Sequence, residues 1–171
     1  AFDGCSSLAS VSIPEGVTEI SGWVFCDCHA LVSATIPEGV TTIGSGAFSN
    51  CDSLVSVVLP STVVIIKDRA FDYCTSLAFV KIPAGVTKID TSVFSHCRSL
   101  ASVKIPDGVT EIGPYAFTDC SSLASVTIPE GVTAIGKWAF LRCTGLRSVV
   151  VAEATVSAET LKGVFANCTR L

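Results

Sequence analysis

Methionine is absent from this 171-residue chain, and charge of either sign is scarce. Asp, Glu, Lys and Arg together make up 15% of the residues against 49% hydrophobic ones, so the chain is neither a disordered segment nor a charged tail. The eleven basic residues are scattered without a run and the formal net charge is −4. That distribution argues against nucleic acid as a main partner, because phosphate binding needs clustered Lys and Arg. No apolar run approaches the roughly 18 residues of a membrane span, so direct membrane insertion is not expected. The first residues do not read as a signal peptide. Since the chain opens on Ala1-Phe2 without Met and stops at Leu171, both within a repeat, the expectation is a piece of a longer polypeptide whose end caps lie elsewhere.

What the chain does contain is one short text repeated. Phe2, Phe25, Phe48, Phe71, Phe94, Phe117 and Phe140 are each 23 residues apart, and only Phe165 breaks step. A fixed period of this length specifies a repeat solenoid, so residues 1–171 are read as a single array of about seven units. Aligned on the Phe, the consensus is Ala-Phe-x-x-Cys-x-Ser-Leu-x-Ser-Val-x-Ile-Pro-Glu-Gly-Val-Thr-x-Ile-Gly-x-x. Leu100, Val103 and Ile105 illustrate a first strand with one buried face. The Pro106-Asp107-Gly108 stretch then reverses the chain, because Pro presets φ and Gly accepts the turn geometry. Val109 to Gly113 reads as a second short strand, and Ala-Phe-x-x-Cys as a single helical or 3₁₀ turn. One unit cannot bury its apolar face alone, and stacked units pair their strands in parallel.

The pattern Leu-x-x-Val-x-Ile-Pro-x-Gly-Val-Thr-x-Ile-Gly-x-x-Ala-Phe-x-x-Cys resembles the BspA-like, or Treponema-type, leucine-rich repeat, over practically the whole chain. The resemblance implies a leucine-rich-repeat solenoid and a non-catalytic protein-binding module of the adhesion or recognition type, placed at the cell surface or secreted. It implies no catalytic residues, and no cofactor or metal is expected. A second reading is a structural or linker subunit docked permanently in a larger multiprotein assembly, favoured by the near-identity of most repeats.

Eight of the nine cysteines, Cys5, Cys28, Cys51, Cys74, Cys97, Cys120, Cys143 and Cys168, share one repeat position. Side chains stacked in register point in parallel, which keeps Cβ atoms farther apart than a disulfide allows and predicts a buried ladder of free thiols. Cys26-Asp27-Cys28-His29 contains zinc-ligand types at a spacing that fits no usual site. His96 next to Cys97 does not make a catalytic pair, because neighbours in sequence point apart. Glu15, Glu38, Asp107 and Glu130 share the position after Pro and read as a solvated acidic edge.

Departures from the consensus supply the candidate contacts. Thr62 and Lys67 stand where other repeats have Gly, and Val64 and Ile65 occupy places that are mostly polar elsewhere. On the first strand, where the outward residues are mostly Ser and Thr, the central repeats place Val58, Phe79, Lys81 and Lys104. With Val55, Val64 and Ile65 they suggest a hydrophobic contact patch. A second row, two residues before each core Phe, carries Trp23, Arg69, Tyr115 and Trp138, and aromatics there are candidate anchors for a partner. The last unit, 149–171, loses the Pro-Gly turn and gains two residues before Phe165, so it is expected to be irregular, with a longer helix from Ala158.

Overall fold

The computed structural model describes residues 1–151 and 163–171. Each 23-residue unit makes one coil with three sides, and the coils stack with residue i above residue i+23. The first side carries β1 (Ser10–Ser12), β3 (Ser33–Thr35), β5 (Ser56–Val58), β7 (Phe79–Val80), β10 (Ser125–Ile128) and β12 (Ser148–Val151). The second carries β2 (Glu19–Ile20), β4 (Thr42–Ile43), β6 (Ile65–Ile66), β8 (Lys88–Ile89), β9 (Glu111–Ile112) and β11 (Ala134–Ile135). All pairings are parallel, as in Ala34 beside Val57 and Ile43 beside Ile66. β-branched residues alternate inward along these strands, so Val57 and Val80 are buried between exposed neighbours. Expected from a 23-residue period, this architecture is a parallel-strand solenoid with very little helix.

The third side holds the Ala-Phe-x-x-Cys segment. The short helical or 3₁₀ turn expected there takes the form of successive three-residue turns, as in Ala47 N–H to Gly44 O, Ser49 N–H to Gly46 O and Cys51 N–H to Phe48 O. The intervening N–H groups point along the stack. Gly46, Phe48 and Asn50 donate to Asp68, Ala70 and Asp72 of the next coil at 2.8–2.9 Å. Two residues per repeat reach this alternation through a left-handed backbone, for example Arg69 and Tyr73, both at φ 58°. Such a conformation is costly for a side chain with a Cβ. What offsets the cost is an inter-coil hydrogen bond made by the same residue, as Arg69 does to Thr91 at 3.0 Å and Tyr73 to Ser95 at 2.9 Å.

Inside, the phenylalanines form one continuous stack from Phe2 to Phe165, with ring centroids 5.1–5.5 Å apart. Phe165 joins it at 5.1 Å from Phe140 despite its two extra residues. The expected helix from Ala158 lies outside the described residues. All nine cysteines are free. The ladder thiols do more than fill space, because from Cys28 onward each donates to a Phe carbonyl in the preceding coil, as Cys51 does to Phe25, Cys74 to Phe48 and Cys97 to Phe71, at 3.1–3.2 Å. Each of these carbonyls thereby accepts a second bond beside the one from the Cys N–H of its own turn.

Coil spacing is tight at the glycine that closes the second strand. A Cβ on Gly136 would lie 2.3 Å from Pro114 N and 2.6 Å from Gly113 C, both backbone atoms that cannot swing aside. Gly136→Ala is therefore expected to lower stability by about 1–3 kcal/mol, the usual cost of overpacking, in a urea titration. An unchanged midpoint would show that the coils can part there freely.

Candidate functional site

The first-side sheet is where exposed apolar residues gather. Val58 is 77% exposed and Phe79 55% exposed, although both stand on paired strands. Phe79 pairs with Ser56, and Val58 with Thr35, so the two outward side chains sit in adjacent coils of one four-stranded sheet. Val55 donates its N–H to Val32 O, and both of those valines are also exposed. Val32, Val55, Val58 and Phe79 thus form one contiguous patch on three successive coils. Val32 was not singled out from the sequence. Its signal was available, since Val32 and Val55 stand where most repeats have Ala, as at Ala78, Ala101 and Ala124.

Val64 and Ile65 do not join that patch. Ile65 lies on β6 in a separate three-stranded sheet, beyond the Pro60 turn, and pairs with Thr42. Val64 leans over the next turn, where its Cγ1 would be 2.9 Å from a Cβ on Gly85. Around them the second side is charged, with Lys88 bridging Asp90 and Glu111 at 3.2 and 3.3 Å and Lys67 reaching Glu19 at 3.3 Å.

The row two residues before each core Phe is divided. Tyr115 and Trp138 stand one above the other, ring centroids 5.3 Å apart and tilted by 47°, with Lys137 Nζ 3.8 Å from the Trp138 ring. Trp23 instead lies across Gly46, whose added Cβ would meet its ring at 2.2 Å. Much of each ring is thus spent on neighbouring coils, and all three positions have left-handed backbones, as does Arg69 in the same row. A second cross-coil row, unexpected from the sequence, precedes each ladder Cys. Asn50 donates to Asp27 at 2.7 Å, Tyr73 stacks on His96 at 3.9 Å, and His96 Nε2 lies 3.4 Å from Asp119.

His96 also meets Ser95 Oγ at 2.7 Å and Asp72 Oδ1 at 3.5 Å. Burial pushes the Asp72 carboxyl up, with Ser95 and His96 pulling the other way. Ser, His and Asp so arranged do not form a hydrolytic site, because Ser95 is 4% exposed and closed to a substrate. Cys26, Asp27, Cys28 and His29 are not brought together as a metal set. Cys28 Sγ donates inward to Phe2 O at 3.1 Å, and His29 pairs with Asp52 at 2.9 Å. Cys26 lies near Asp3 and Asp27. Burial first, and then the Asp27 charge, push its thiol up to about 11, which keeps it protonated at neutral pH.

A cleft of about 780 Å³ lies beside Lys104, between the coils that carry Val103–Ile105 and Thr127–Pro129. Asp107 and Glu130, from the acidic turn edge, close one end of it. Lys104 and Lys81 are both exposed, and among the described residues neither takes part in an ion pair.

The stacked coils and their parallel strand ladders define a leucine-rich-repeat solenoid. The chain belongs to the family described as BspA type leucine rich repeat region, which matches in six copies over residues 1–101 and 41–171. Among solved structures it is similar to the T. pallidum leucine rich repeat protein, at 31% identity over 95% of this chain and 78% of that one, with a TM-score of 0.73. A leucine-rich repeat protein from Bacteroides ovatus is 26% identical over all of this chain and 56% of that one, with a TM-score of 0.63. A leucine rich cell surface protein from Faecalibacterium prausnitzii is 25% identical over 97% of this chain and 64% of that one, with a TM-score of 0.58. Comparison with curated proteins returned no match. Repeats of this kind generally mediate protein–protein interaction. Among the described residues, no helix is long and apolar enough to cross a membrane.

Proposed function

We propose that this chain is a non-catalytic protein-binding module of the adhesion or recognition type, acting through the first-side sheet. The observation that carries this reading is the contiguous exposed patch of Val32, Val55, Val58 and Phe79 on otherwise Ser- and Thr-rich strands. Folding gives no reason to place these apolar side chains outward, and apolar anchors amid small polar residues suit a contact centre with a wet rim. A cell-surface location is supported by the description of the F. prausnitzii relative as a cell surface protein.

The test compares the chain with its Val58→Ser and Phe79→Ser variants as immobilised bait for surface and secreted proteins of its environment. Both side chains are exposed, so melting should move by no more than about 0.5 kcal/mol equivalent. Captured proteins should fall about thirtyfold, as for an interface hot spot worth about 2 kcal/mol. An identical captured set with all three baits would sink the reading. Recovery from the native source only in a fixed stoichiometric assembly would favour a structural subunit instead.

A further inference from the structure

Along the first side the strand ladder thins and then vanishes. Three residue pairs join β1 to β3 and β3 to β5, two join β5 to β7, and a single bridge joins Phe79 to Ser102. Between Ser102 and Ser125 there is no pairing among the described residues, and four pairs then join β10 to β12. The position that fails is specific. At the outward site occupied by Ser12, Thr35, Val58, Lys81, Lys104, Thr127 and Val150, Ser12 pairs with Thr35, Thr35 with Val58 and Thr127 with Val150. Each of the three remaining steps contains Lys81 or Lys104, and each lacks a pair. Lys81 and Lys104 occupy successive places in this row, where like charges repel, and among the described residues no carboxylate pairs with either.

The opening is held at both ends. Ala124 N–H reaches Ala101 O at 3.2 Å before it, and Thr133 N–H reaches Thr110 O at 2.9 Å after it. Between these clamps, no backbone hydrogen bond joins 103–107 to 126–130 among the described residues. This is the cleft beside Lys104. Pro129 and the exposed Val150 give it an apolar rim, with Val103, Ile105 and Ile128 buried behind it, Lys104 a cationic lip, and Asp107 and Glu130 an anionic end.

We propose that this cleft is a docking site for an extended peptide segment of a partner protein, in which an acidic side chain adjoins a large apolar one. The inference rests on the protein-binding reading above and adds the place and the chemistry. The carboxylate sits between Lys81 and Lys104 and supplies a countercharge that none of the described residues gives them. The apolar side chain packs on Pro129 and Val150, and a basic residue beyond it faces Asp107 and Glu130. Extended backbone suits the opening, because main-chain donors and acceptors stand there without partners across the gap.

Panning a random dodecapeptide phage library against the intact chain tests this. Enriched peptides should carry Asp or Glu within two residues of a large apolar side chain. Their synthetic forms should bind the parent chain and lose affinity about tenfold or more on Lys104→Glu and on Thr127→Arg, with weaker binding as salt is raised. Both substitutions are at exposed positions, so unchanged melting temperatures separate loss of binding from loss of fold. Peptides without the acidic and apolar signature, or peptides indifferent to both substitutions, would overturn the proposal. So would a dimer of this chain that Lys104→Glu dissolves, since a second copy would then be the occupant. If the selected peptides respond to Val58→Ser and not to Lys104→Glu, the cleft falls while the strand-face reading stands. No enrichment at all also overturns the cleft, leaving capture of folded proteins at Phe79 as the separate test of the broader reading.

Discussion

Raising the pH from 9 towards 11 should unfold this solenoid cooperatively. Cys51, Cys74, Cys97 and Cys120 lie in one continuous core, each 0% exposed. Burial pushes every one of these thiols up from an ordinary value of 9.0, Cys51 to about 12. The folded-state value is raised, so the stabilisation is fully present below pH 9 and is lost as pH rises through the interval from 9 to about 12. In that window the unfolded chain releases thiol protons that the folded chain retains. Each such thiol costs about 1.4 kcal/mol per pH unit, so four of them outweigh the stability of an ordinary domain within about two units. Stability from urea titrations at pH 8 to 11 would measure the slope, and Cys97→Ala should reduce it by one proton. A flat profile across that range would rule out a protonated thiol ladder.

Phe94→Ala should cost about 3–5 kcal/mol, the range for a fully buried aromatic whose cavity cannot collapse. Its ring is 0% exposed and stacks at 5.5 Å on both Phe71 and Phe117, so neighbours on two sides lose contact at once. The coils around it are fixed by backbone bonds, Phe94 to Ala116 at 2.9 Å and Phe71 to Val93 at 2.9 Å, which prevent closure of the gap. Because each coil touches only its neighbours, the deletion should also weaken cooperativity, and the two halves should melt separately. Calorimetry showing one transition, displaced by less than 1 kcal/mol equivalent, would contradict this account.

The inward set was legible in the sequence because a period of 23 repeats every environment. Phe, Cys, Leu, Val and Ile recur where the coil points inward, and the structure buries them. The position of the outward Phe79 could be read the same way, since Ser occupies its site in the other coils. Grouping was harder. Val64 and Ile65 adjoin Val58 in sequence, yet the Pro60 turn carries them to another sheet. Val32 was overlooked because a Val in a β-rich repeat attracts no notice until its neighbour Val55 is seen outside as well. The left-handed backbone of Tyr115 and Trp138 is likewise invisible in a consensus, because Gly, Arg, Ser and Trp all occupy that position.

The sequence by itself determined the coil, its stacking register and the buried ladders, since those follow from residue types recurring at one spacing. Only the tertiary structure decided that the cysteines donate to Phe carbonyls, and that the strand ladder is interrupted between Ser102 and Ser125, beside Lys104. The physical reason is one of range. Burial is set within a repeat and written in its letters, whereas hydrogen bonding and charge repulsion between coils depend on what lies 23 residues away and at what angle.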